Sequence, residues 1–306
     1  LTIVSPKIKV LSTAMKYNEQ FYGDVFANCK LKVYGKGLKI ALTGSMTTLP
    51  GTNVNISMEY ENAIEQYDFL EFVNTAETAE QDMFYYDPPK TDFTISFNIE
   101  VTPDAKTQLV YNSQIGDVIK GEGEGILLFE MNKYGDISLA GDFTVVKGDY
   151  LFTLQSIVNK RFTIAPGGTI VWSGDPYNAV IDLKAIYSLK TSLSDLQPDA
   201  NYLYQRIPVE CIILLTDELI NPTINFEINL PEENEGEKSK LEQFFNTEEE
   251  INKQILSLIV MGKFYTPEYM RGQYETQNPN MIGSTASELF SNQLSNWLSQ
   301  ISKNVD

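Results

Sequence analysis

From its first residues to about Leu230 the chain is written in period two. Phe93, Ile95, Phe97, Ile99 and Val101 alternate with Thr94, Ser96, Asn98 and Glu100, which puts five apolar side chains on one face of a strand and the polar ones on the other. Cys29, Leu31 and Val33 repeat the pattern, as do Tyr150, Phe152 and Leu154, then Ile181, Leu183, Ala185 and Tyr187, then Ile224, Phe226 and Ile228. Turn formers separate the runs: Gly35 and Gly37, Pro50-Gly51, Gly135-Asp136 and Pro166-Gly167-Gly168. No helical stretch stands between most of them, so serial parallel βαβ units are excluded. The chain reads as all-β, with a mostly antiparallel or mixed sheet. Roughly 13 strands at about 4.8 Å each give a sheet on the order of 60 Å across.

The pattern changes after residue 230. Residues 231–246 read as an acidic linker and helix start, and 247–306 as a helical segment. Thr247 and Glu250 form a capping box before the stripe Ile251, Ile255, Leu258 and Ile259. Thr285 and Glu288 open a second amphipathic helix, with Phe290, Leu294, Trp297, Leu298 and Ile301 as its apolar stripe, suited to packing on the sheet or on a partner. Its polar face carries almost no Lys or Arg, which disfavours a helix lying on an anionic membrane surface. The stretch between Tyr60 and Tyr86, aromatic and acidic, reads as a looping insertion.

Composition closes several routes to chemistry. There is no histidine, which removes Ser-His-Asp and Cys-His relays and imidazole metal ligands. Lys and Arg total 23 against 41 Asp and Glu, a net charge of −18 that argues against a nucleic-acid partner. The carboxylates at 122 and 124, 232–237 and 248–250 fall in turns, linkers and caps, where a solvated face is the plain reading. Gly121-Glu122-Gly123-Glu124-Gly125 lacks the Lys-Ser/Thr of a phosphate loop and reads as a turn. Cys29 and Cys211 are either two buried thiols or one bridge. No enzyme, cofactor or metal is expected, and no apolar run approaches the roughly 20 residues that span a bilayer. The chain starts without Met and reads as a fragment of something longer.

One region is more specific. Gly148, Tyr150 and Phe152 are followed by Phe162 and Ile164. Then come Gly168, Ile170, Trp172, Gly174, Pro176 and Asn178, and a last strand ends in Ala185 and Tyr187. This order resembles the C-terminal domain of the TamB family, tightly over residues 148–187 and in character over the rest of 1–230. The segment from Gly283 to Leu289 and the helix after it resemble the version found in Bacteroidetes-type bacteria. Ala179 stands where many members have proline, and the final strands leading to the outer-membrane end are not represented.

The resemblance implies a curved sheet folded into a U-shaped apolar trough, a β-taco, akin to the AsmA and bridge-like lipid-transfer proteins. It implies a non-enzymatic protein of the Gram-negative periplasm that bridges inner and outer membranes. An inner-membrane anchor would lie outside this fragment, and a BamA-superfamily barrel of the TamA kind would be the outer-membrane partner. Phospholipid acyl chains would then lie along Phe93, Ile95, Phe97, Ile99, Phe152, Ile170, Trp172, Ile181, Leu183, Phe226 and Ile228. Periodicity by itself fits the solid core of a closed sandwich or barrel as well. Two other roles stay open: an assembly factor for outer-membrane or secreted proteins, and an extracellular adhesion or carbohydrate-binding sandwich.

Overall fold

The computed structural model describes residues 1–19, 21–57, 92–112, 117–154, 158–196, 206–220, 222–231, 241 and 244–267. Thirteen strands form one sheet: β1 (Thr2–Thr13), β2 (Phe21–Lys36), β3 (Lys39–Thr48), β4 (Asn53–Ser57), β5 (Asp92–Val101), β6 (Lys106–Asn112), β7 (Asp117–Met131), β8 (Ile137–Leu154), β9 (Val158–Ile164), β10 (Thr169–Gly174), β11 (Val180–Ser192), β12 (Arg206–Glu218) and β13 (Pro222–Asn229). One helix follows, α1 (Glu248–Met261). The second helix expected over 290–301, the Gly283 to Leu289 segment and the insertion between Tyr60 and Tyr86 lie outside the described residues.

The sheet is mixed. Its pairings are antiparallel except β3 with β5 and β4 with β6, which the chain reaches through residues 58–91. Three pairs of strands, β3/β4, β5/β6 and β9/β10, lie end to end in single rows: β2 pairs with both β3 and β4 along one edge, β7 with both β5 and β6, and β8 with both β9 and β10. Thirteen strands therefore make ten rows. At about 4.8 Å per spacing the sheet is about 43 Å across, narrower than a count of sequence runs suggests.

The breaks in those rows line up. Residues 49–52, 102–105 and 165–168 interrupt their rows at neighbouring positions. In the adjoining continuous strands the line runs past Val25 and Phe26, past the register shift between Glu122 and Gly123 opposite Val146, and past Val10 of β1. Side chains carry the hydrogen-bond ladder across the gap. The Phe26 N–H donates to Thr52 Oγ1 at 3.1 Å and the same hydroxyl donates to the Phe26 carbonyl at 3.0 Å. The Thr102 N–H donates to Thr48 Oγ1 at 2.8 Å, and the Lys106 N–H to the Thr52 carbonyl at 3.0 Å. Further on, the Gly167 N–H reaches the Val145 carbonyl at 2.8 Å and Val145 N–H the Gly168 carbonyl at 2.8 Å. A bulge bends its strand, and a row of them in register bends the strands they cross at one line; β11, β12 and β13 pair with one another without a register shift.

The run from Gly121 to Gly125 is not a turn. It lies inside β7, with its glycines at the register positions facing Gly148, Val145 and Phe143 of β8. The reason is close packing: a Cβ at Gly123 would stand 2.5 Å from a ring carbon of Phe143 and 2.3 Å from the Thr144 carbonyl oxygen. Local composition imitates a turn because both situations need a residue without a side chain.

Cys29 and Cys211 are free and buried. They sit on β2 and β12, with β11, β10, β8, β7, β5 and β3 between them. Burial pushes the Cys211 thiol up to about 12.

Candidate functional site

Register decides which side chains share a face, because directly paired residues point the same way. Ile170 pairs with Ile181 and with Phe143; Phe143 pairs with Gly125, Leu127 with Ile99, and Phe97 with Phe129. Ile99 lies beside Met46 and Met46 beside Cys29. On the far side Leu183 pairs with Leu215, Cys211 with Ile228 and Ile213 with Phe226. All eleven residues anticipated for the apolar lining, from Phe93 to Ile228, fall on this one face. So do others outside that set: Leu42, Met46, Leu127, Phe129, Phe143, Tyr150 and Phe162. Leu127 and Phe129 were hidden by Ile126 and Leu128, apolar residues on the other face. Ile126 is 69% exposed.

The opposite face is polar. Thr47 Oγ1 donates to Glu100 at 2.9 Å and Ser96 Oγ to Glu130 at 3.1 Å, both across neighbouring rows. Lys9 pairs with Asp24 at 2.8 Å and Arg161 with Asp149 at 3.7 Å. A depression of about 580 Å³ is lined by Lys184, Ile186, Glu210, Ile212 and Glu227 of this face together with Ile228, Phe245 and Ile251. Glu210 there accepts from Asn229 at 2.8 Å. Among the described residues no group of His, Cys, Asp or Glu is placed to hold a metal ion.

Cover on the apolar face is graded along the rows. At the β1 to β5 side Ile3, Ile40 and Phe93 are exposed, and Leu42, Ile95, Phe97 and Ile99 are half-buried around a small buried group of Ala27, Cys29, Leu31 and Met46. At the other side Ile170, Trp172, Ile181 and Leu183 are buried, and Phe152, Phe226 and Ile228 are half-buried. α1 supplies part of that cover, where it meets β9, β12 and β13. Thr247 Oγ1 accepts from the Glu250 N–H, as the capping box requires, and Gly262 ends the helix at φ 69°. Ile255, Leu258 and Ile259 pack in one cluster with Ile181, Leu183 and Cys211, and Ile251 lies against it. Burial continues around the helix through Gln254, Leu256 and Ser257. The Gln254 amide grips the backbone of Tyr265, accepting its N–H at 2.8 Å and donating to its carbonyl at 2.9 Å, and Ser257 Oγ donates to the Lys263 carbonyl at 2.8 Å. These bonds fold the chain after the helix back onto it. Leu241, Phe244 and Phe264 complete the cover.

The motif residues of 148–187 have physical tasks. Tyr150, Phe162 and Tyr187 form an aromatic group with Phe152; Phe162 is 5.5 Å from Tyr187 and 5.9 Å from Phe152 between ring centroids. A Cβ at Gly148 would meet the Lys120 carbonyl oxygen at 2.7 Å, and one at Gly168 would meet Leu183 at 2.9 Å. Gly174 has φ 146° and opens a turn in which Trp172 Nε1 donates to the Pro176 carbonyl at 3.0 Å. In the same turn the Asp175 carboxylate accepts from the Tyr177 N–H and the Asn178 amide. Ala179, in the place of proline, is fully buried and uses its carbonyl, accepting from Leu219 N–H at 2.8 Å. Proline would keep that carbonyl.

The partner-helix residues Phe290, Leu294, Trp297, Leu298 and Ile301 lie outside the described residues. Among those described, no helix is long and apolar enough to cross a membrane.

No curated protein matches the chain. A family model described as the TamB C-terminal domain matches residues 4–306. TamB proteins are envelope components of Gram-negative bacteria, non-enzymatic modules of transport or assembly that act with an outer-membrane TamA partner. Matched over nearly its whole length, the chain belongs to the TamB C-terminal domain family.

Proposed function

We propose that the apolar face is a lipid-carrying surface and that the aligned breaks fold it into a U-shaped trough. The observation that carries this reading is the continuity of the face over ten rows, half-open at the β1 side and more deeply buried at the other, where α1 meets β9, β12 and β13. Acyl chains enter such a surface through the hydrophobic effect, at about 0.8 kcal/mol for each methylene removed from water. The effect has no direction, so a chain moved by one row meets an equivalent surface and advances without a discrete site. Phe93, Ile95, Phe97 and Ile99 form the accessible part of the lining, and Ile170, Trp172, Ile181 and Leu183 the buried part. The full protein would carry phospholipid across the periplasm between the two membranes. It would meet a BamA-superfamily barrel of the TamA kind at the outer one, with the apolar stripe of residues 290–301 as the contact.

Lipid extracted from the purified chain and identified by mass spectrometry tests the reading. Phospholipid should co-purify, and Phe97→Asp with Ile95→Asp should lose most of it while the circular-dichroism spectrum stays β. A wild-type chain without lipid, or a charged variant that retains it, overturns the proposal.

A further inference from the structure

Followed through the register, the apolar face is almost free of charge. Among the described strand side chains that face it, Lys160 alone is ionised, apart from Asp217 at the β12–β13 turn. Phe152 pairs with Lys160, Tyr150 with Phe162, and Ile164 with Ala185, so the lysine shares the face of the aromatic group. Its Nζ lies 5.6 Å from the Tyr187 ring centroid and makes no ion pair among the described residues. Arg161, next along the chain but on the opposite face, has Asp149 at 3.7 Å. Lys160 is also the third residue of β9, close to the β8–β9 connection and so to one end of its row. A lysine there can lay its stem along apolar surface and hold its ammonium toward water.

We propose that Lys160 is an anion-binding point on this face, taking the phosphate of an anionic phospholipid whose hydrocarbon lies against Tyr150, Phe152, Phe162 and Tyr187. The proposal rests on the lipid-carrying reading of the same face and names the lipid class it would favour. Each part of the site matches one part of such a molecule: aromatic rings for the chain, and an ammonium with no counter-ion among the described residues, at the row end, for the head group. The overall charge of −18 repels anionic lipid, so any preference for it must come from a local cation.

The test offers the full chain vesicles of phosphatidylcholine containing a minor fraction of phosphatidylglycerol with the same acyl chains, and compares the bound lipid with the vesicle by mass spectrometry. Wild type should enrich phosphatidylglycerol about tenfold, the scale of one charge-assisted contact. Lys160→Met should bind as much lipid at the vesicle ratio, and Lys160→Arg should keep the enrichment. Millimolar inorganic phosphate should leave the enrichment in place. Bound lipid without enrichment in wild type, or with equal enrichment in Lys160→Met, overturns the role of Lys160 and leaves the carrying face standing. Loss of enrichment in dilute phosphate shows a free-anion site and overturns the phospholipid assignment. Absence of any bound lipid overturns both readings.

Discussion

Replacing Thr52 by Val tests whether side chains hold the sheet together along its line of breaks. Thr52 is buried at 3% exposure, and its hydroxyl both accepts the Phe26 N–H and donates to the Phe26 carbonyl. The carbonyl keeps a second donor, the Leu49 N–H at 2.8 Å; the Phe26 N–H has no other partner in this arrangement. Valine has nearly the same shape, so the change isolates the lost acceptor, and one orphaned buried donor costs about 1–3 kcal/mol. Thr52→Ser keeps the hydroxyl and loses one methyl, about 0.8 kcal/mol. Urea unfolding should rank wild type, Ser and Val in that order. Native-state exchange should show the Phe26 amide opening roughly 5–150-fold more often in the Val variant, the same energy read locally. A Val variant within about 0.5 kcal/mol of wild type with an unchanged Phe26 amide would refute the idea that threonine hydroxyls bridge the gap. So would a Ser variant as unstable as Val.

Gly123→Ala should destabilise the chain by about 1–3 kcal/mol, since its Cβ would press on the Phe143 ring and the Thr144 carbonyl. Gly37→Ala, with φ 61° and open space around it, should cost only about 1 kcal/mol; equal losses in calorimetry would contradict the packing argument. Cys211, its thiol raised to about 12 by burial, should resist Ellman's reagent at pH 8 in the native state and react on unfolding. Fast native labelling at that position would show that β12 is open. Burial also pushes the Asp195 carboxyl up, with the nearby Lys263 partly countering it. The ionised form is the disfavoured one. The cost is therefore absent at low pH, where both folded and unfolded states hold the proton, and grows as pH rises from the unfolded value through the raised folded one. Asp195→Asn should raise the melting temperature more at pH 7 than at pH 3, and an equal shift at both would remove burial as the cause.

Period-two alternation marks strands and their dry face, and it did so for every run from Cys29 to Ile228. Thr247 and Glu250 marked the start of α1 equally well. What local sequence cannot carry is the path of the chain after a break. Pro50-Gly51 and Pro166-Gly167-Gly168 look like corners where the chain turns back, yet there it continues in the same row, and only pairing with β2 and β8 separates the two cases. The Gly121 to Gly125 run fails for a related reason: its glycines answer to the Phe143 ring on another strand. Lys160 escaped because a search for apolar residues at alternate positions passes over the polar one among them. Buried all round, α1 shows a further limit, since its sequence displays one stripe and the side chains of Gln254 and Ser257 are matched only by the backbone of residues 263–265.

The line of breaks also governs how such a sheet can change length over evolutionary time. Each row pairs only with its two neighbours, so a hairpin can be gained or lost at the β1 edge, away from α1, without disturbing the rest. Within a row the freedom vanishes. Two residues inserted into one arm would keep its inward and outward alternation but shift its break out of line with Thr48, Thr102 or Val145, and the hydroxyls that span the gap would meet no partner. The expected mark in related chains is whole hairpins that come and go, with the number of residues on each side of the line held constant. Distance from that line is then a coordinate by which rows of unrelated sequence can be superposed.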